Sequence, residues 1–230
     1  MDIIEQFYAA ADAINAVSQK AYLRNQFEFL GIKTPIRRAI SKAFINELAS
    51  TKEIDWELVD KLWELPEREF QYLATDILRK MKNSLEVQDF EKIKDLALRK
   101  SWWDTVDSLD ELIGAVIQRE VKANSKSPHE LTPSQKMSIK WAKNENFWVR
   151  RIAIDCQLGF KDKTNTRLLS SVIKANLAGS KFADEFFINK SIGWALRDYS
   201  KSNPEWVREF LMENEKEMSK LSIREAAKYI

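Results

Sequence analysis

Residues 144–158 read NENFWVRRIAIDCQL, and the spacing of their apolar side chains decides the fold class. Val149, Ala153, Cys156 and, just beyond, Phe160 recur every three or four residues, as one face of an α-helix requires. Arg150 and Arg151 flank that stripe near the start of the helix. Two other segments look like variants of the same unit, LPEREFQYLATDIL at 65–78 and EFFINKSIGWALRDY at 185–199. Each sets an aromatic or acidic-aromatic start before a helix with a polar or basic residue early and an aspartate late. The markers Asp76, Asp155 and Asp198 are 79 and 43 residues apart. These gaps are near two and one repeats of about 40, the period of solenoids built from helix pairs.

Working outward, helical periodicity recurs from end to end. It predicts helices near 2–16, 18–29, 35–49, 54–63, 66–82, 86–100, 103–121, 133–143, 146–160, 164–178, 182–200, 204–216 and 219–229. Pro35, Pro66, Pro133 and Pro204 stand where first turns should begin, Gly31 where the second helix should end, and 122–132 reads as a loop. The expectation is an all-α chain with one domain over 1–230, an α-solenoid of HEAT-like antiparallel helix pairs. Such superhelices present a concave face to extended partners.

Composition agrees. Five glycines and five prolines in 230 residues are too few for the turns of a sandwich or barrel. No apolar run approaches the roughly 18 residues of a membrane span. The start, MDIIEQFYAAADAIN, lacks the basic and apolar regions of a signal peptide. The one cysteine, Cys156, falls on an apolar stripe and reads as buried and inert, which suits a reducing compartment. The one histidine, His129, sits in a polar segment, so neither a metal nor another cofactor is expected. The protein reads as cytoplasmic. Net charge is only +2, from 37 basic and 35 acidic residues, so any nucleic-acid surface must arise from local clustering.

Two helices carry residues that do not belong to their apolar stripes. After Lys100, Trp102, Val106, Leu109, Ile113 and Ile117 form the stripe, while Trp103, Asp107 and Asp110 share another face. From spacing alone, that second set reads first as a packed tryptophan beside a capping or ion-paired aspartate. Near 182–200, Ile188, Ile192, Ala195 and Tyr199 face inward, while Lys190, Trp194, Arg197 and Lys201 lie together beside Gly193. An aromatic ring among cations suits a sugar-phosphate backbone, though a charged face with one tucked tryptophan reads as well.

The strings FEFLGIKTPIRR, LWELPEREFQYLATDIL, KSWWDTVDSLDELIG, NFWVRRIAI and KSIGWALRDYSKSNP closely resemble the bacterial AlkD-type DNA glycosylases, HEAT-like repeat enzymes of DNA alkylation repair. The resemblance runs from about Phe27 to near the C-terminus. It implies a solenoid that cradles double-stranded DNA as a monomer, without metal or membrane, and joins the nucleoid when bound. It also implies hydrolysis of the N-glycosidic bond of cationic alkylpurines such as 7-methylguanine and 3-methyladenine, with the lesion left stacked. By position, Asp107 matches the catalytic carboxylate, and Trp103 and Trp194 the tryptophans that contact the lesion's sugar and backbone. Arg151 and Arg197 match residues that hold phosphates; Arg150, Lys190 and Tyr22 are further candidate DNA contacts. The stretch before Gly31 is a few residues shorter than in active members. This leaves a second reading, an inactive or weak paralogue whose minor-groove helix is shortened, and a third, a scaffold for a protein partner.

Overall fold

The computed structural model describes residues 1–124 and 130–230. The expected loop over 122–132 is therefore described only in part, and His129 lies outside the described residues. Within them the regular structure is thirteen α-helices, four short 3-10 turns and one isolated backbone bridge between Glu28 and Glu67. The fold is all-α, as the periodicity predicts, and its helix pairs are those of an α-solenoid. No described helix is long and apolar enough to cross a membrane. The chain divides into two compact units, Met1–Leu85 and Glu86–Ile230.

The first unit holds α1 (Ile3–Ala9), α2 (Ala13–Tyr22), α3 (Thr34–Ser50), α4 (Trp56–Glu64) and α5 (Arg68–Lys80). α5 packs on both α3 and α4 and buries Phe70, Leu73, Ala74, Ile77 and Leu78. The helix expected over 2–16 is broken, because the Asp12 carboxylate accepts the Ile14 and Asn15 N–H groups and starts a new helix. The helix expected over 18–29 stops at Tyr22, where Arg24 and Asn25 turn left-handed at φ 54° and 57°. The following segment is held from α5: the buried Glu69 carboxylate accepts the N–H groups of Leu30, Gly31 and Ile32 at 3.0, 2.8 and 3.1 Å. Pro35, Pro133 and Pro204 open their helices as expected, whereas Pro66 falls one residue before the Glu67 cap of α5.

The second unit holds α6 (Phe90–Leu98), α7 (Trp103–Ala123), α8 (Pro133–Trp141), α9 (Phe147–Asp155), α10 (Thr166–Lys174), α11 (Phe186–Ser200), α12 (Pro204–Asn214) and α13 (Lys220–Ala226). α9 touches α6, α7, α8, α10 and α11. A helix surrounded in this way has no solvent face, and every residue from Trp148 to Asp155 is buried. Arg150 and Arg151 are therefore inside the protein rather than on an exposed flank.

Candidate active site

The starts of α7, α9 and α11 are fastened together by aromatic rings. Trp102, the residue capping α7, has its ring 5.9 Å from that of Trp148 on α9 and 5.4 Å from that of Phe187 on α11. Trp148 and Phe187 are themselves 4.7 Å apart. This cluster fixes the register of three helices, each of which then presents its second turn. From α7 comes Asp107, half-buried and one turn beyond Trp103. From α9 comes Arg151, whose side chain is 3% exposed.

Arg151 grips Asp107 through both arms of its fork, Nε to Oδ1 at 2.7 Å and Nη2 to Oδ2 at 2.8 Å. Its remaining nitrogen, Nη1, donates to the Phe187 carbonyl oxygen at 2.8 Å, which ties the pair to α11. Bidentate, charge-assisted bonds of this kind fix direction as well as distance. Asp110 and Asp155 stand close by, and one carboxylate oxygen from each of Asp107, Asp110 and Asp155 lies within 4.8 Å of the others. The cation among these three carboxyls is the Arg151 guanidinium. Burial alone would lower the Arg151 pKa, but the carboxylates of Asp155, Asp107 and Asp110 together raise it. Burial, then Asp155 and Asp107, pushes Asp110 well above the usual carboxylate range. Burial likewise lifts Asp155 to about 6, against the opposing pull of Arg151. Cys156, next in the chain, is buried as expected, and its thiol is pushed up to about 12.

α11 supplies the second tryptophan. Trp194 is half-buried, with Lys190 Nζ 6.0 Å and Arg197 Cζ 5.5 Å from its ring centre. The structure adds a residue that spacing did not suggest. Glu225 of α13 accepts from Lys190 at 3.0 Å, Arg197 at 3.3 Å and Lys228 at 2.7 Å. The bond from Lys228, then that from Lys190, pulls its carboxyl down to about 2. Gly193 is what admits α13 so closely, because a Cβ there would meet the Glu225 Cβ at 2.5 Å.

The remaining expected contacts are placed differently. Arg150 does not face solvent: Nε donates to the Asn144 carbonyl at 2.5 Å, Nη1 to Asn176 at 3.2 Å, and its head lies over the Phe182 ring. Tyr22 is exposed, on the rim of a cleft of about 310 Å³ in the first unit, together with Phe29, Arg37 and Tyr72.

The family model for the DNA alkylation repair enzymes matches residues 3–230. The chain belongs to that family. A solved structure described as a predicted DNA alkylation repair enzyme from Enterococcus faecalis is similar over 96% of both chains, at 32% identity and a TM-score of 0.80. No curated protein sequence matches the chain significantly. For this member of the DNA alkylation repair enzyme family, two of the expected residues, Asp107 and Arg151, meet directly in the structure. Lys190, Trp194 and Arg197 meet around Glu225 in a separate cluster on α11 and α13.

Proposed function

We propose that the chain is a DNA N-glycosylase that removes cationic alkylpurines from duplex DNA, with Asp107 as its catalytic residue. The observation that carries this reading is the half-buried Asp107 carboxylate, aimed by the Arg151 fork, on a helix whose preceding turn bears Trp103. Alkylation at N7 or N3 places a positive charge on the purine and weakens the bond to the sugar. As that bond breaks, the electron pair leaves with the base and the charge passes to the deoxyribose, as in glycoside hydrolysis generally. A fixed carboxylate beside C1′ stabilises that charge and accepts the proton of the attacking water. The base departs neutral, so no general acid is required. Trp103 and Trp194 would supply ring faces to the sugar and backbone. In this account Arg151 orients Asp107, and Arg197, Lys190 and Lys228 form the phosphate-facing cluster around Trp194.

One observation favours the second reading, DNA binding without appreciable excision. Of the expected DNA contacts, Arg150 and Arg151 are buried and Lys190 and Arg197 share Glu225, so each of these four cations is already engaged within the protein. Release of 7-methylguanine and 3-methyladenine from a methylated duplex, measured beside binding of the same duplex, separates the two. Release at saturating protein supports the glycosylase. Salt-sensitive binding with no release supports the non-catalytic reading, and neither activity removes DNA as the partner.

A further inference from the structure

A guanidinium has five N–H donors but a single positive charge. Arg151 directs Nε and Nη2 to Asp107 and Nη1 to a backbone carbonyl, so the Asp107–Arg151 pair is by itself neutral. Asp155 lies one helical turn beyond Arg151 on α9, with a fully buried side chain and Oδ2 3.7 Å from the same Nε. Neither of its oxygens meets hydrogen-bond geometry with any described group. The Ser191 hydroxyl is the polar group by which α11 acts on it. From α7 it faces Asp107 and Asp110, and from its own helix Arg151 and the neutral thiol of Cys156. The buried faces of α6, α8 and α10, which also pack on α9, carry only apolar and uncharged polar residues. With one cation, Arg151, among the half-buried Asp107 and the buried Asp110 and Asp155, the charge of the site depends on how many of the carboxyls keep a proton.

We propose that Asp155 is a positioning residue that acts on Asp107 through Arg151: ionised, it offsets the guanidinium and leaves the Asp107 charge uncompensated; protonated, it leaves the pair neutral. The inference rests on the glycosylase reading above. A net negative site complements a purine that carries a positive charge and a transition state that moves this charge to the sugar, whereas a neutral pair does not. Burial, with the carboxylates of Asp155 and Asp107 beside it, raises the Asp110 pKa well above the usual carboxylate range and so favours its neutral form. Asp155, lifted to about 6 by burial, changes state within the range where an enzyme would work.

The first arm of the test needs no DNA. In the full chain, the ¹³C carboxyl resonance of Asp155, assigned by its loss in Asp155→Asn, should titrate near 6. The midpoint should fall by a unit or more in Asp107→Asn, which removes a repelling charge and releases Arg151. A midpoint at the ordinary value of about 4, or one that Asp107→Asn does not move, overturns the coupling. In the second arm, single-turnover excision by the wild type should rise between pH 5 and 7.5. Asp155→Asn should stay flat, about tenfold slower at pH 7.5 and converging on the wild type at pH 5, with Asp155→Glu restoring the rise. An unchanged pH profile in Asp155→Asn overturns the proposed role. Because the folded-state pKa is raised, the stability contributed by Asp155 is present below about pH 4 and lost as pH rises through about 6. Asp155→Asn should therefore melt no lower than the wild type at pH 7.5. If no variant excises any base, the glycosylase reading fails, while the titration still decides whether the three carboxyls act as one unit.

Discussion

Arg150 and Arg151 are neighbours in sequence, and both looked like cations at the edge of an apolar stripe. In the structure each is buried, with its polar contacts made inside the protein: Arg151 holds Asp107, and Arg150 joins the turn at Asn144 to Asn176. Spacing set Trp103 and Asp107 one turn apart on a face that differs from the stripe, and only the family resemblance gave them roles. It did not place the arginines, because how deeply a side chain is buried depends on which helices surround its own. Replacing Arg150 with methionine keeps the bulk of the side chain but leaves the Asn144 carbonyl and the Asn176 side chain short of a donor. The expected cost is about 3 kcal/mol of folding stability, read from denaturant midpoints, with less than a twofold change in DNA affinity. A large loss of affinity at unchanged stability would return Arg150 to the DNA-contacting set.

At the scale of elements, the run of thirteen periodic segments was legible, and so were most of the joints opened by proline. The first two boundaries were not. Alanine-rich sequence is compatible with continuous helix through residues 9–16, but the Asp12 side chain captures the next backbone donors and restarts the chain as α2. α2 buries none of its residues, and what holds its start is backbone: Asp12 N–H donates to the Leu30 carbonyl at 2.8 Å. Gly31 sits against that contact at φ +86°, where an added Cβ would lie 1.9 Å from the Asp12 carbonyl oxygen. Gly31→Ala should therefore cost at least about 2 kcal/mol, since neither the left-handed backbone nor the backbone oxygen can yield cheaply. Equal denaturant midpoints for variant and wild type would show that the entry to α3 is looser than this geometry.

For the molecule as a whole, a net charge of +2 offered no sign of a nucleic-acid partner, and charge matters here by location. Glu225 lies 28 positions from Arg197, too far for any spacing rule, yet it joins Lys190, Arg197 and Lys228 at one point beside Trp194. Removing its charge with Glu225→Gln raises the net charge of that cluster by one. Affinity for duplex DNA should rise severalfold at low salt, and the plot of log affinity against log salt should steepen by up to about 0.9. Unchanged affinity and slope would mean that this cluster does not face phosphate. The central claim concerns Asp107, and single-turnover release of 7-methylguanine from a methylated duplex tests it most directly, with wild type and Asp107→Asn side by side. The account predicts release by the wild type and a loss of at least about a hundredfold in the variant, with DNA binding equal or tighter. Equal rates for the two proteins would contradict it.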